Sequence, residues 1–308
     1  MKRRSFLRGA AIGTVSLGTF GRSLATKNLP TTSILKMPEQ EQQTGTRPVR
    51  IAIVQQDSNP GQVEENRKKA LQYAAEALEQ KADVILFHEE LLVGYVENVR
   101  ELAEPLEGPT TRAFQKLLKG TDARIIYGLT EREGDDYYIS APIVSGNGVV
   151  ANYHKTHLFW KGPGGLRHEP TFYKPGNKLV TFDIKGFKSG IMICYDGGFP
   201  EMTRSYANLG CSMLFWMNHR RSRGHEEVQN LALTNSMIMP TSCCCGIDER
   251  GAVCPGGSHI TGAKGELISE LWDKEGIVIS DVYPEHVEQL REQNHRYTGL
   301  RPEIYYYG

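Results

Sequence analysis

The chain has 308 residues, with 36 basic and 36 acidic side chains, a pI near 7.1 and 39% hydrophobic residues. That balance leaves no basic excess for a nucleic-acid partner, and the length is ample for a large buried core. Six cysteines are too few in so long a chain for a disulfide scaffold, and no internal repeat is present.

The chain opens with Lys2, Arg3, Arg4 and Arg8. Residues 9–21 follow as a weakly apolar stretch, and Ser23-Leu24-Ala25 offers a small-residue cleavage site. These are the three parts of a secretory signal. Arg3-Arg4-Ser5-Phe6-Leu7 resembles a twin-arginine export signal. The expected organisation is a signal peptide over 1–25, a flexible linker over 26–47 and one domain over 48–308. The Tat export machinery is then a partner, and the location is periplasmic or secreted. The apolar stretch is too short for stable membrane insertion.

Beyond the linker, a strand is predicted over 49–55 and an amphipathic helix over 62–80, with Ala70, Leu71, Ala74, Ala77 and Leu78 at helical spacing. A short apolar strand over 84–87 delivers His88, Glu89 and Glu90 at its end. Carboxylates among Phe87 and Leu91 to Val93 are costly to bury unless paired or used. A helix over 110–119 and a strand over 123–130 come next. A hairpin over 141–144 and 149–153, turning at Ser145 to Gly148, ends in Tyr153-His154-Lys155. Residues 160–175 form a long loop containing Gly162-Pro163-Gly164-Gly165, a candidate lid or active-site wall.

A second hairpin, 179–184 and 188–193, runs into Cys194-Tyr195-Asp196-Gly197-Gly198-Phe199-Pro200-Glu201. A thiol here sits at the tip of a rigid strand, beside the N–H groups that open a helix over 199–209. Those groups suit a thiolate and an oxyanion. A strand over 212–216, a helix over 226–239, short strands to about 281 and a helix over 284–293 complete the chain. Cys243, Cys244 and Cys245 alternate faces if extended, which disfavours pairing with one another, and no Cys-x-x-Cys accompanies them. They read as core residues, and a disulfide through Cys211 or Cys254 stays open. His154, His157 and His168 show no metal-site spacing; His157 reads as a structural hydrogen-bonding residue.

Three segments together resemble the nitrilase superfamily, the carbon–nitrogen hydrolases, over about residues 50–307. Glu89 precedes Gly94-Tyr95 by five and six residues, with His88 where the family usually has proline. Tyr153 to Phe159 matches the lysine segment. Cys194 to Glu201 matches the nucleophile segment. The resemblance implies an α/β fold, specifically a four-layer α-β-β-α sandwich, and a Glu89–Lys155–Cys194 triad. It also implies an additional Glu169 upstream of Phe172 to Gly176, no metal, no cofactor, and a homodimer or higher homo-oligomer.

In that scheme Glu89 takes the thiol proton and Cys194 attacks an amide carbon. Lys155 and the Tyr195 N–H hold the oxyanion, Glu89 protonates the leaving amine, and water releases the thioester. Glu169 orients Lys155 or meets the substrate amide. Tyr195-Asp196 after the nucleophile resembles the amidase and carbamoyl-hydrolase branches, so the expected reaction is carboxamide to acid and ammonia. N-carbamoyl hydrolysis is the nearest alternative; a nitrilase, a soluble acyltransferase and an inactive binding protein rank behind it. Tyr95, Tyr195, Trp216 and Asn218 are the expected substrate-binding residues. Arg220 and Arg221 serve either a substrate carboxylate or a surface. His295 to Tyr297 and Tyr305 to Tyr307 are expected to form a packing tail.

Overall fold

A computed structural model describes residues 45–57, 59–160, 168–219, 225–301 and 304. The predicted signal peptide, the linker through residue 44, Gly162 to Gly165, Arg220, Arg221 and Tyr305 to Tyr307 lie outside the described residues.

The first half supplies six strands of one seven-stranded sheet. Strand β1 (Val49–Gln55) lies parallel to β2 (Val84–Leu86), and β2 parallel to β3 (Arg124–Ile126). Their residues are almost wholly buried, as expected of strands covered on both faces. The connection from β1 to β2 runs through α1 (Val63–Glu79), which turns Ala70, Ala74 and Ala77 inward. Strands β4 (Leu129–Glu133), β5 (Asp136–Ser145) and β6 (Gly148–His154) extend this sheet antiparallel. Helices α2 (Val99–Leu102) and α3 (Pro109–Leu117) precede β3; α3 buries Phe114.

The second sheet has the order β11-β12-β10-β9-β8-β7, with β13 on β12. Its strands are β7 (Thr181–Ile184), β8 (Phe187–Ile193), β9 (Met213–Met217), β10 (Met239–Ser242), β11 (Cys245–Ile247), β12 (Val253–Thr261) and β13 (Leu267–Trp272). Strand β14 (Gly276–Val282) crosses back to pair with β1. Helices α4 (Pro200–Asn208) and α5 (Glu226–Asn235) cover this sheet, and α6 (Val287–Gln293) and α7 (His295–Thr298) follow β14. The two sheets share one apolar core. The result is the expected α-β-β-α arrangement of layers.

Several boundaries differ from expectation. The strand predicted over 123–130 is two strands broken at Tyr127-Gly128. A side-chain carbon at Gly128 would lie 2.4 Å from both the Glu90 amide and the His88 carbonyl, so the chain bends there to clear the turn carrying the glutamates. The helix predicted over 226–239 stops at Asn235, because Ser236 turns left-handed at φ 43°. Met237 to Ser242 is then buried extended chain, and Pro240 already biases Met239 toward that conformation. The predicted terminal helix begins as a short 3-10 turn over Pro284–His286. The long loop ending at residue 175 contains a 3-10 turn, Glu169–Thr171, which fixes Glu169.

None of the six cysteines forms a disulfide among the described residues, and Cys243, Cys244 and Cys245 are buried. No helix among the described residues is long and apolar enough to cross a membrane.

Candidate active site

Glu89, Lys155 and Cys194 each stand just past the end of a strand. Glu89 follows β2 and is fully buried. The Ser242 hydroxyl at the end of β10 donates to the Phe87 carbonyl at 2.8 Å, so the two sheets are tied directly under this turn. Glu90, next along, takes a left-handed φ of 52°. That backbone sends the two carboxylates to different partners. Glu90 accepts from Thr130, and burial pushes its pKa up to about 8 despite that bond, which keeps it neutral at pH 7. His88, pressed down to about 4 by burial, donates from Nδ1 to the Glu89 carbonyl at 2.8 Å.

Lys155 follows β6 and is fully buried. Its Nζ donates to Glu89 Oε1 and to Glu169 Oε1, both at 2.8 Å. Burial opposes the ammonium, but Glu169 and Glu89 hold its pKa well above the ordinary lysine value. Glu169 is brought to the cluster by its 3-10 turn. Its Oε1 also accepts from Tyr95 at 2.9 Å and its Oε2 from the Phe159 amide at 2.6 Å. Burial raises the Glu169 carboxyl above its usual range, against the lowering effect of Lys155. Glu89 Oε2 makes no hydrogen bond among the described residues, although it is buried. One carboxylate oxygen is thus fixed on the lysine while the other is unengaged.

Cys194 closes β8 and begins a 3-10 turn, Cys194–Gly198, at φ 43°. A positive φ at a non-glycine residue is strained and persists only when its surroundings hold it. Asp196 does much of that holding. Its Oδ2 accepts from the Ile193 amide at 2.9 Å and Tyr153 at 2.7 Å; its Oδ1 accepts from the His157 amide at 2.9 Å and Thr156 at 3.0 Å. His157 Nδ1 also lies 3.0 Å from Oδ1, and its ring stacks on Phe199, in line with the structural role read from the sequence. Trp216 Nε1 donates to the Cys194 carbonyl at 3.1 Å. A side-chain carbon on Gly197 would lie 2.0 Å from the Trp216 ring, so only glycine fits this close approach. A thiolate at Cys194 adds to the raised pKa of Lys155 and of Tyr95.

The four residues expected to bind substrate separate in the structure. Tyr95 is buried on Glu169 and edge-on to the His219 ring at 5.1 Å. Trp216 is fully buried, and its indole N–H donates to the Cys194 carbonyl that begins the 3-10 turn. Tyr195 is 38% exposed and meets Phe159 and Phe199 edge to face. Asn218 is buried, and neither its Oδ1 nor its Nδ2 has a hydrogen-bond partner among the described residues. Asp196 and Tyr153 were visible only as letters of a motif. The cue available in the sequence was an acidic residue two positions past the end of an apolar strand, where a carboxylate has to find donors.

The Asp196 network gives a direct test. Burial pushes this carboxyl up, but His157, the Ile193 amide and Tyr153 outweigh it, so it titrates below its usual range. A depressed carboxyl contributes stability that is present above its unfolded pKa of about 3.9 and is lost as pH falls through the lower folded value. Asp196→Asn is expected to cost about 1.5–3 kcal/mol at pH 7. In urea unfolding, the gap to wild type should narrow below about pH 4; a gap independent of pH would contradict the assignment.

Fold and comparisons together define an α/β enzyme built as two face-packed sheets. The chain belongs to the carbon–nitrogen hydrolase family, whose description matches residues 50–292. A nitrilase from Pyrococcus abyssi is 30% identical over 268 residues, covering 84% of this chain and 99% of that protein. A 2-oxoglutaramate amidase from Bacillus subtilis is 27% identical over 263 residues, covering 83% of this chain and 98% of that one. Among solved structures, the CN-hydrolase superfamily protein XC1258 from Xanthomonas campestris superposes with a TM-score of 0.76. It has 18% identity and covers 85% of this chain and 100% of its own, a likeness of fold.

Proposed function

We propose that this carbon–nitrogen hydrolase cleaves a small carboxamide to acid and ammonia through a thioester on Cys194. The observation that carries the reading is the Lys155 ammonium, held between Glu89 and Glu169 with one Glu89 oxygen unengaged. In this reading Glu89 accepts the Sγ proton as sulfur bonds to the amide carbon. Lys155 and the Tyr195 amide hydrogen-bond the oxyanion. The C–N bond breaks as Glu89 returns the proton to the leaving amine. Water, deprotonated by Glu89, then cleaves the thioester and restores the thiol. Glu169 fixes the lysine, and Asn218 offers its amide to the substrate. The amidase name of the Bacillus subtilis relative fits an amide, while the Pyrococcus abyssi relative is named a nitrilase, so the test includes both substrate classes.

The experiment is ammonia release by the protein from Thr26 onward. Substrates are short aliphatic amides, ω-amides, N-carbamoyl amino acids and nitriles. Release from an amide class supports the proposal. Release confined to carbamoyl compounds or nitriles replaces the substrate class, and silence across the panel overturns the reading.

The Arg3-Arg4 pair and the residues after it support export as a folded enzyme. Lysines at both positions are expected to remove the protein from the periplasmic fraction. Unchanged distribution would refute export by this route.

A further inference from the structure

Three buried side chains outside the Glu–Lys–Cys cluster converge at the ends of neighbouring strands. His219 lies two residues past β9, Cys244 two residues past β10, and Cys254 within β12. Strand β10 sits between β9 and β12, so Cys244 is flanked by the other two. The ligand atoms of His219, Cys244 and Cys254 all lie within 4.8 Å of one another. The three residues are 1%, 0% and 1% exposed. We propose that His219, Cys244 and Cys254 form a binding site for a zinc-type divalent cation.

The donor set selects the class of metal. Two sulfurs and an imidazole offer no oxygen, which disfavours magnesium and calcium. Zinc takes sulfur at about 2.3 Å and nitrogen at about 2.0–2.1 Å, so donors around one ion lie roughly 3.4–3.8 Å apart. Side-chain torsions reach that spacing from within 4.8 Å. Charge points the same way. Coordinating thiols bind as thiolates, and two thiolates with a neutral imidazole cancel a divalent cation. A monovalent copper ion would leave a net negative charge in a buried place, which is costly.

A disulfide is the competing use of the two cysteines, and the strand register disfavours it. Cys254 pairs with Gly246, two residues beyond Cys244. The thiols therefore meet along a diagonal of the ladder, where Cα atoms are roughly 7–8 Å apart, beyond the usual disulfide span. Their sulfurs nonetheless lie within 4.8 Å of each other. A metal bridges that gap because it adds two bonds between the sulfurs. Bound there, it would clamp the ends of β9, β10 and β12 together, with the His219 ring against Tyr95. The site is independent of the acyl-enzyme reading, since none of its ligands belongs to the Glu89, Lys155 and Cys194 set.

The test uses the chain from Thr26 onward with Cys194→Ala, which removes a competing thiol. Chelator-treated protein is titrated with cobalt(II). The expected result is a thiolate-to-cobalt absorption band that saturates at one ion per chain, and a higher Tm when zinc replaces cobalt. Cys254→Ser should abolish the band, and Cys243→Ser should leave it intact. If Cys254→Ser fails to fold, zinc-edge X-ray absorption on the zinc-loaded parent decides, with two sulfur neighbours expected. Absence of the band in the folded parent, its survival in Cys254→Ser, or a zinc shell without sulfur would each overturn the proposal.

Discussion

Replacing Cys194 with alanine is expected to lower turnover by roughly 10⁴-fold or more, the scale seen when an attacking nucleophile is removed, while the fold survives. The two expectations come from different parts of the residue. The contacts that shape the turn are made by backbone: the Cys194 carbonyl accepts from Trp216, and Asp196 holds the neighbouring Ile193 amide. Neither contact needs sulfur. Alanine tolerates φ 43° about as poorly as cysteine, so the strain at this position carries over unchanged. Stability should therefore shift by less than about 1 kcal/mol. Acid quench during turnover should show an acyl adduct in wild type and none in the variant. Turnover within tenfold of wild type in a folded Cys194→Ala protein would remove Cys194 from the proposed role.

The strand ends were legible because the chemistry is written where hydrophobic runs stop. Val84 to Phe87, Val149 to Tyr153 and Ile191 to Ile193 each deliver a reactive or charged residue at a point where burial demands a partner. The structure brings Glu89, Lys155 and Glu169 into contact. What stayed hidden depends on approach through space. The break at Gly128 exists because the Glu90 amide and His88 carbonyl pass beside it, a proximity no local pattern encodes. Ser236 ends α5 by turning left-handed within a sequence that continues to look helical. The close approach of the Trp216 ring to Gly197 likewise joins residues 19 positions apart and leaves no local mark in the sequence. Cys244 and Cys254 come together with His219 only because β10 lies between β9 and β12, an order that does not follow the chain.

Lys155→Met is the substitution expected to damage both stability and activity. The lysine is fully buried, and its ammonium is the shared partner of Glu89 and Glu169. Methionine fills a similar volume, so lost packing contributes little. The dominant effect is electrostatic: two buried carboxylates lose their counter-charge, a change that costs roughly 3–5 kcal/mol when one partner of a buried pair is removed.

The sign of the pH dependence follows from linkage. Burial already raises the Glu169 carboxyl in the presence of Lys155, and without the ammonium it rises further. A carboxyl whose folded pKa exceeds its unfolded value of about 4.3 binds more protons folded than unfolded as pH rises past that value. Its contribution to stability is retained at low pH and is lost as pH increases through the folded pKa. The deficit of Lys155→Met should therefore be smallest near pH 4–5 and grow toward pH 8, the same sign as the Asp196→Asn gap but over a higher pH window. Glu89→Gln added to Lys155→Met should recover part of the lost stability, because it removes one buried charge. Hydrolysis should not recover with it, since the proposed proton acceptor is then gone as well. Urea midpoints across pH 4.5–8 for the single and double variants measure all of this. A Lys155→Met midpoint equal to wild type at every pH would mean that the two glutamates do not depend on the lysine for their burial.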